Sequence, residues 1–200
     1  MQIKIGPFQE EEKFALDNNS WIPLREFSIK YFQIRAIPIG IISLALFILL
    51  WKSFTPVIET LNTVAFPFII FQNLVILVGA IIIHELIHAF FHPIFGLSKQ
   101  SIIRIWPNKM FICTYYLGEI TRNRSMLIQI MPFIILSVIP LIIAITIQIS
   151  PICLAYLSVV NVLLACGDIL AIIMTMREIP KGAIIRSTGW NGFYMILKNK

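Results

Sequence analysis

Three histidines fall within nine residues of this chain: His84, His88 and His92. Two of them bracket a glutamate in the run Ile83-His84-Glu85-Leu86-Ile87-His88-Ala89, an H-E-x-x-H pattern. On an α-helix, residues four apart sit about 40° apart around the axis and about 6 Å along it. Both imidazoles can therefore converge on one metal ion. Glu85 lies beside them, placed to hold a metal-bound water and to take its proton. The alternative is a set of polar groups pointing into a helix bundle with no metal. In an apolar helix that alternative weakens, because a carboxylate and two imidazoles are costly in hydrocarbon and tend to be functional there.

A catalytic zinc needs a third protein ligand and one open position for water. His92 continues the i+4 ladder, but on a straight helix it lies about 12 Å along the axis from His84, too far to share an ion. It reads instead as a group behind the ligands or at the membrane interface. Asp168 is the stronger candidate. Apart from Glu85 it is the only acidic residue in the apolar stretches of the chain, where an unpaired buried carboxylate would be expensive. Gly167, just before it, lets a helix or a substrate come close. Asn161, seven residues earlier, shares its helix face and would either bind a substrate backbone or hold two helices together. Asn73 and Glu119 are weaker candidates, for packing and for solvation respectively.

The elements that must carry these residues are set by composition. Of 200 residues, 58% are hydrophobic and 13% charged, about half the charged share of a soluble domain. A chain this small cannot bury so large an apolar fraction on its own. A soluble enzyme, a disordered tail and a disulfide scaffold are excluded, and an integral membrane protein of the cell membrane is implied. The three cysteines, Cys113, Cys153 and Cys166, have no C-x-x-C spacing and read as apolar fillers. A net charge of +6, scattered among loops, fits membrane orientation and not nucleic acid.

Four apolar spans are expected, at 36–51, 68–91, 126–149 and 152–176. Prolines 132 and 140 inside the third are tolerable in a membrane helix. Loop cations test this division. Lys4, Lys13, Arg25, Lys30 and Arg35 precede the first span, and Lys52 alone follows it. Lys99, Arg104, Lys109, Arg122 and Arg124 lie between the second and third spans; none lies between the third and fourth. Arg177, Lys181, Arg186, Lys198 and Lys200 follow the fourth. That alternation is expected for four helices with both termini in the cytoplasm. On this topology the second and fourth spans run the same way. His84, His88 and Asp168 then sit at matching depths, about 6–12 Å below the cytoplasmic boundary.

Ser101–Trp106 and Phe111–Tyr116 are rich in Ile, Phe, Tyr and Thr and are separated by Pro107-Asn108-Lys109. They read as a short cytoplasmic β-hairpin between helices two and three. Residues 1–35 and 177–200 read as cytoplasmic tails without chemistry, and no cleavable signal peptide is expected. The fold class is thus an all-α membrane protein of four helices with that hairpin, the metal-binding domain occupying 36–176.

HELIH in the second span, with Asn161-Val162-Leu163-Leu164-Ala165-Cys166-Gly167-Asp168 in the last, resembles the small bacterial zincin peptidases of unknown function. It is also similar to the site-2 protease class of intramembrane metalloproteases. In that class the HExxH helix is paired with a later N-x-x-P-x-x-x-L-D-G motif, whose aspartate is the third zinc ligand. This chain lacks the proline and the trailing glycine, and Gly167 precedes Asp168 instead. The resemblance implies a zinc cofactor held by His84, His88 and Asp168, Glu85 as general base, and a hairpin that presents an extended substrate by strand addition.

The expected activity is hydrolysis of membrane-associated protein segments by a Glu85-activated, zinc-bound water, with substrate contact from Asn161. The expected partners are the lipid bilayer and a protein substrate, with no nucleic acid. The rival readings are a divalent-metal transporter, which would place ligands at several depths, and a non-catalytic metal-binding membrane protein.

Overall fold

The computed structural model describes residues 1–8, 21–23, 28–54, 66–109, 111–147, 152–187 and 193–196. The long apolar runs fold as helices, which satisfy every interior backbone polar group within the segment. These are α1 (Ile29–Phe54), α2 (Phe66–Phe91), α3 (Arg122–Phe133), α4 (Ile139–Ile147), α5 (Ile152–Leu164) and α6 (Cys166–Glu178). Lys30–Phe54, Phe71–Phe91 and Arg122–Ile147 are long and apolar enough to cross a membrane. The bent pair α5–α6, turned by 43°, is a fourth if it counts as one span. Outward faces carry exposed Ile41, Leu49, Phe71, Leu74 and Ile142, an apolar surface compatible with lipid. The first helix starts earlier than the expected Ala36, taking in Lys30 and Arg35.

α3 and α4 are joined by a widened π turn at Ile134–Val138, directly before Pro140. A proline ring crowds the carbonyl one turn back and offers no N–H, so a wider turn there relieves the clash. Inside this turn Ser137 trades hydrogen bonds with α5. Its Oγ donates to the Ser158 carbonyl at 3.0 Å, and Ser158 Oγ donates to the Ser137 carbonyl at 2.9 Å. Trp51 Nε1 of α1 donates to Ser158 Oγ at 3.0 Å. Around this polar knot lies an apolar cluster of Phe47, Trp51, Leu141, Ala144 and Val162.

The fold is not purely helical. Between α2 and α3, β3 (Ser101–Trp106) and β4 (Phe111–Tyr116) pair antiparallel from Ser101 opposite Tyr116 to Trp106 opposite Phe111. β1 (Gln2–Ile5), within the segment expected to be a plain solvated tail, joins β3 in parallel, giving the order β1-β3-β4. Buried Arg104 ties the two together. It donates to the Pro7 carbonyl at 2.6 Å and to Tyr115 Oη at 2.9 and 3.1 Å. A second sheet has the order β2-β7-β6-β5, from β2 (Trp21–Pro23), β5 (Glu119–Thr121), β6 (Ile184–Ser187) and β7 (Phe193–Ile196). Both expected tails thus contribute strands, and the all-α class is corrected to a helical protein with two small sheets. Apolar alternation in runs of only three or four residues is too short to stand out beside spans of twenty or more.

α2 ends abruptly. Pro93 disfavours helical backbone at His92, which is extended at φ −62° and ψ 159°. Ile94, Phe95 and Gly96 then take positive φ values of 57°, 51° and 74°. This left-handed turn sends the chain back toward β3. A Cβ on Gly96 would collide with the backbone oxygen of Ala89, so only glycine fits. Gly79, in the middle of α2, has open space around its Cβ position. Gly96→Ala should therefore destabilise the protein by about 1–3 kcal/mol, seen as a fall of several degrees in Tm in detergent, whereas Gly79→Ala should leave Tm unchanged or raise it. Equal melting of both variants would refute this role for the turn.

Candidate metal centre

One turn of α2 and the first turn of α6 meet at the core of the helical bundle. His84 and His88 project from α2, one helical turn apart, with their rings edge to face at 4.8 Å between centroids. The bend at Ala165 aims the start of α6, and with it Asp168, at the same point. His84 Nε2 lies 3.1 Å from His88 Nε2 and 3.0 Å from Asp168 Oδ2, and Asp168 Oδ1 lies 3.4 Å from His88 Nε2. The donor atoms of these three residues all fall within 4.8 Å of one another. Ligands about 2.0–2.1 Å from a tetrahedral zinc stand about 3.3 Å apart, close to these separations.

Each histidine is oriented from behind. His84 Nδ1 donates to Asn161 Oδ1 at 2.8 Å, and His88 Nδ1 donates to the Ile128 carbonyl of α3 at 2.9 Å. With Nδ1 protonated, Nε2 of each ring carries the lone pair a metal needs. Asn161 is itself fixed. Its Nδ2 donates to the Pro132 carbonyl at 3.0 Å and to Ser137 Oγ at 2.8 Å, and it is wholly buried. Its amide is spent on these partners, and Asn161 is not among the residues that line the cavity over the metal group. It stands instead between the π turn and a metal-site histidine.

Glu85 carries the remaining chemistry. Its Oε2 is buried and has no hydrogen-bond partner among the described residues. A buried carboxylate oxygen left unpaired is costly, and a water held at the adjacent metal site would relieve it. The donor set and this orphan oxygen together fit a metal with one open position. Thr114 Oγ1 of β4 donates to the Glu85 carbonyl at 3.2 Å, docking the hairpin on this turn of α2.

The other sequence candidates lie apart from the metal group. His92 is buried, its Nδ1 at 2.7 Å from Ser101 Oγ and its ring 5.4 Å from that of Tyr116. Burial, with lesser effects of His88 and Arg124, pushes its pKa down to about 4, so the ring is neutral at pH 7. Glu119 is half exposed on β5, 4.0 Å from Arg186. Asn73, half-buried in α2, does not line the cavity. That cavity, about 430 Å³, opens over His84, Glu85, His88 and Asp168. Its walls come from α1 (Phe32, Ala36), β4 (Thr114), α3 (Ser125, Gln129) and β6 (Ile185).

A family model described as "Putative zincin peptidase" matches residues 76–184, more than half of the chain. The chain belongs to that family. The matched stretch runs from within α2 to the first residue of β6 and contains all four residues at the metal centre. Zincin family membership implies zinc as the ion. No curated protein and no solved structure matches the chain.

Ile128, Gln129, Ser137 and Ser158 were not singled out by charge or by motif. Amides and hydroxyls inside an apolar span are the signal that would have found the last three, since they too need partners. A backbone carbonyl such as that of Ile128 leaves no trace in sequence.

Purified protein should bind about one zinc per chain, and His84→Ala should bind almost none by elemental analysis. Asn161→Leu keeps every ligand but frees the His84 ring. Its zinc affinity should fall about 10–100-fold in a chelator competition, and wild-type affinity in that variant would contradict the orienting role.

Proposed function

We propose that the chain is a membrane-embedded zinc endopeptidase that cleaves peptide bonds of membrane-associated protein segments. The observation that carries this reading is the unpaired Glu85 Oε2 beside three converging donors, in a cavity large enough for several residues of peptide. Family membership supports the reaction class.

Zinc, when bound there, lowers the pKa of a coordinated water to about 7 and polarises a carbonyl oxygen. The protein's own part is proton handling and placement. Glu85 Oε2 takes a proton from the attacking water and returns it to the amine nitrogen of the departing strand. His84 and His88 present Nε2 to the site because Nδ1 of each ring donates to a fixed acceptor, Asn161 Oδ1 and the Ile128 carbonyl. Asp168 supplies the single negative charge of the donor set, and β4 walls the cavity beside Glu85.

In this reading α1, α2, α3–α4 and α5–α6 are four spans with both termini in the cytoplasm. The loop cations support that orientation, and the cavity then opens to cytoplasmic water. A transporter fits less well, since the described residues hold one group of three or more ligands and no series of them along a path.

Glu85→Gln should retain zinc yet lower turnover about 10²–10⁴-fold, the usual contribution of general acid–base catalysis. The measurement is new protein termini in membranes carrying wild type or the variant, together with metal content. An identical set of termini would remove the peptidase reading, and zinc uptake into vesicles that survives the substitution would favour a carrier.

A further inference from the structure

Gln129 sits on α3, one residue after the carbonyl that holds His88 Nδ1. It lines the same cavity as Glu85 and Asp168. Its side-chain Oε1 is buried and has no hydrogen-bond partner among the described residues. Only two unpaired acceptor oxygens of buried side chains occur among those residues, Glu85 Oε2 and Gln129 Oε1, and both belong to cavity residues. A buried acceptor without a donor is a lasting cost unless something else supplies one. Glu85 has a chemical use for its free oxygen; Gln129, neutral and without proton chemistry, has none of that kind.

We infer that Gln129 is a substrate-binding residue whose side-chain carbonyl accepts a backbone N–H of the peptide lying in the cavity. This rests on the peptidase reading and names a contact within it. The chemistry favours a peptide amide for three reasons. A cationic donor would be drawn to the carboxylates of Glu85 and Asp168, which leaves the neutral Gln129 carbonyl to a neutral N–H. The cavity that Gln129 lines also has apolar lining from Ile112, Ile120, Met174 and Ile185, which suits the side chains that flank such an amide. The Ile128 carbonyl also locks this turn of α3 to the His88 ring, so Gln129 keeps a constant offset from the metal ligands. A contact so fixed would set the register of the peptide relative to Glu85.

The test uses the full chain, purified in detergent and loaded with zinc, and three probes. Acetohydroxamate reports the metal site alone. A leucyl tripeptide hydroxamate adds a backbone, and a set of its analogues carries one N-methyl group at each amide in turn. Wild type should bind the parent hydroxamate about tenfold more tightly than one of the methylated analogues, the size expected for one lost hydrogen bond. Gln129→Met, similar in shape but without the acceptor, should bind that pair equally, with zinc content and acetohydroxamate affinity unchanged. Gln129→Ala gives the same comparison should the methionine variant fail to fold. A tenfold preference that persists in the folded variants overturns the inference while leaving the peptidase reading intact. Failure of zinc-loaded wild type to bind acetohydroxamate would instead sink the metallopeptidase reading itself.

Discussion

An imidazole buried in an apolar helical bundle has two ring nitrogens, and each must have a destination. In this protein both histidines of α2 send Nδ1 outward from the cavity, one to Asn161 and one to the Ile128 carbonyl, and turn Nε2 toward Asp168. The rest of the architecture follows from meeting that demand. Asn161 needs its own donors placed, which requires Pro132 and Ser137 at the π turn. Ser137 in turn engages Ser158, and Ser158 accepts from Trp51. A continuous chain of hydrogen bonds thus runs from α1 through α5 and the α3–α4 junction to the metal-site face of α2. In so low a dielectric each such bond is strong and each omission expensive, which makes the set rigid.

The sheets serve the same site from the other side. Thr114 docks β4 onto the backbone of Glu85, and His92 reaches Ser101 at the start of β3. Between these two contacts the left-handed turn reverses the chain in a few residues. Arg104 then fastens β1 to this unit through the carbonyls of Gly6 and Pro7. The hairpin is held to α2 and to the residue that follows it by side chains near its open end, not merely by connectivity.

Legibility in the sequence divides along physical lines. The bundle was readable because hydrophobic runs of twenty residues have few other fates, and long apolar helices do form, among them α2, the α3–α4 helix and the bent α5–α6 pair. His84, His88 and Asp168 were readable because ionisable groups are rare and costly in such runs, and the folded chain brings these three together. The strand segments 101–106 and 111–116 showed through their β-branched and aromatic content and the turn between them. What did not show was whatever depends on partners distant in sequence. The short strands of the tails, the widened turn before Pro140 and the carbonyl that holds His88 all belong to this class. Asn161 illustrates the middle ground. Its presence on the Asp168 face was visible, but which way its amide faced depended on a bulge in a different helix.

That bulge sets a phase relation along the third helix. In a regular α-helix each residue turns the chain by about 100°, and a π turn accommodates one more residue than the regular pitch allows. Ser137 and the Pro132 carbonyl, five positions apart, reach Asn161 together only because the extra residue of the π turn lies between them. Deleting a single apolar residue from 134–138 would leave composition and span length almost unchanged. It would nonetheless remove the bulge, and with it the wide turn that carries Ser137. The Pro132 carbonyl and Ser137 Oγ would no longer converge, and Asn161 would lose its anchor. Spacing in this apolar stretch therefore carries information that hydropathy alone does not express.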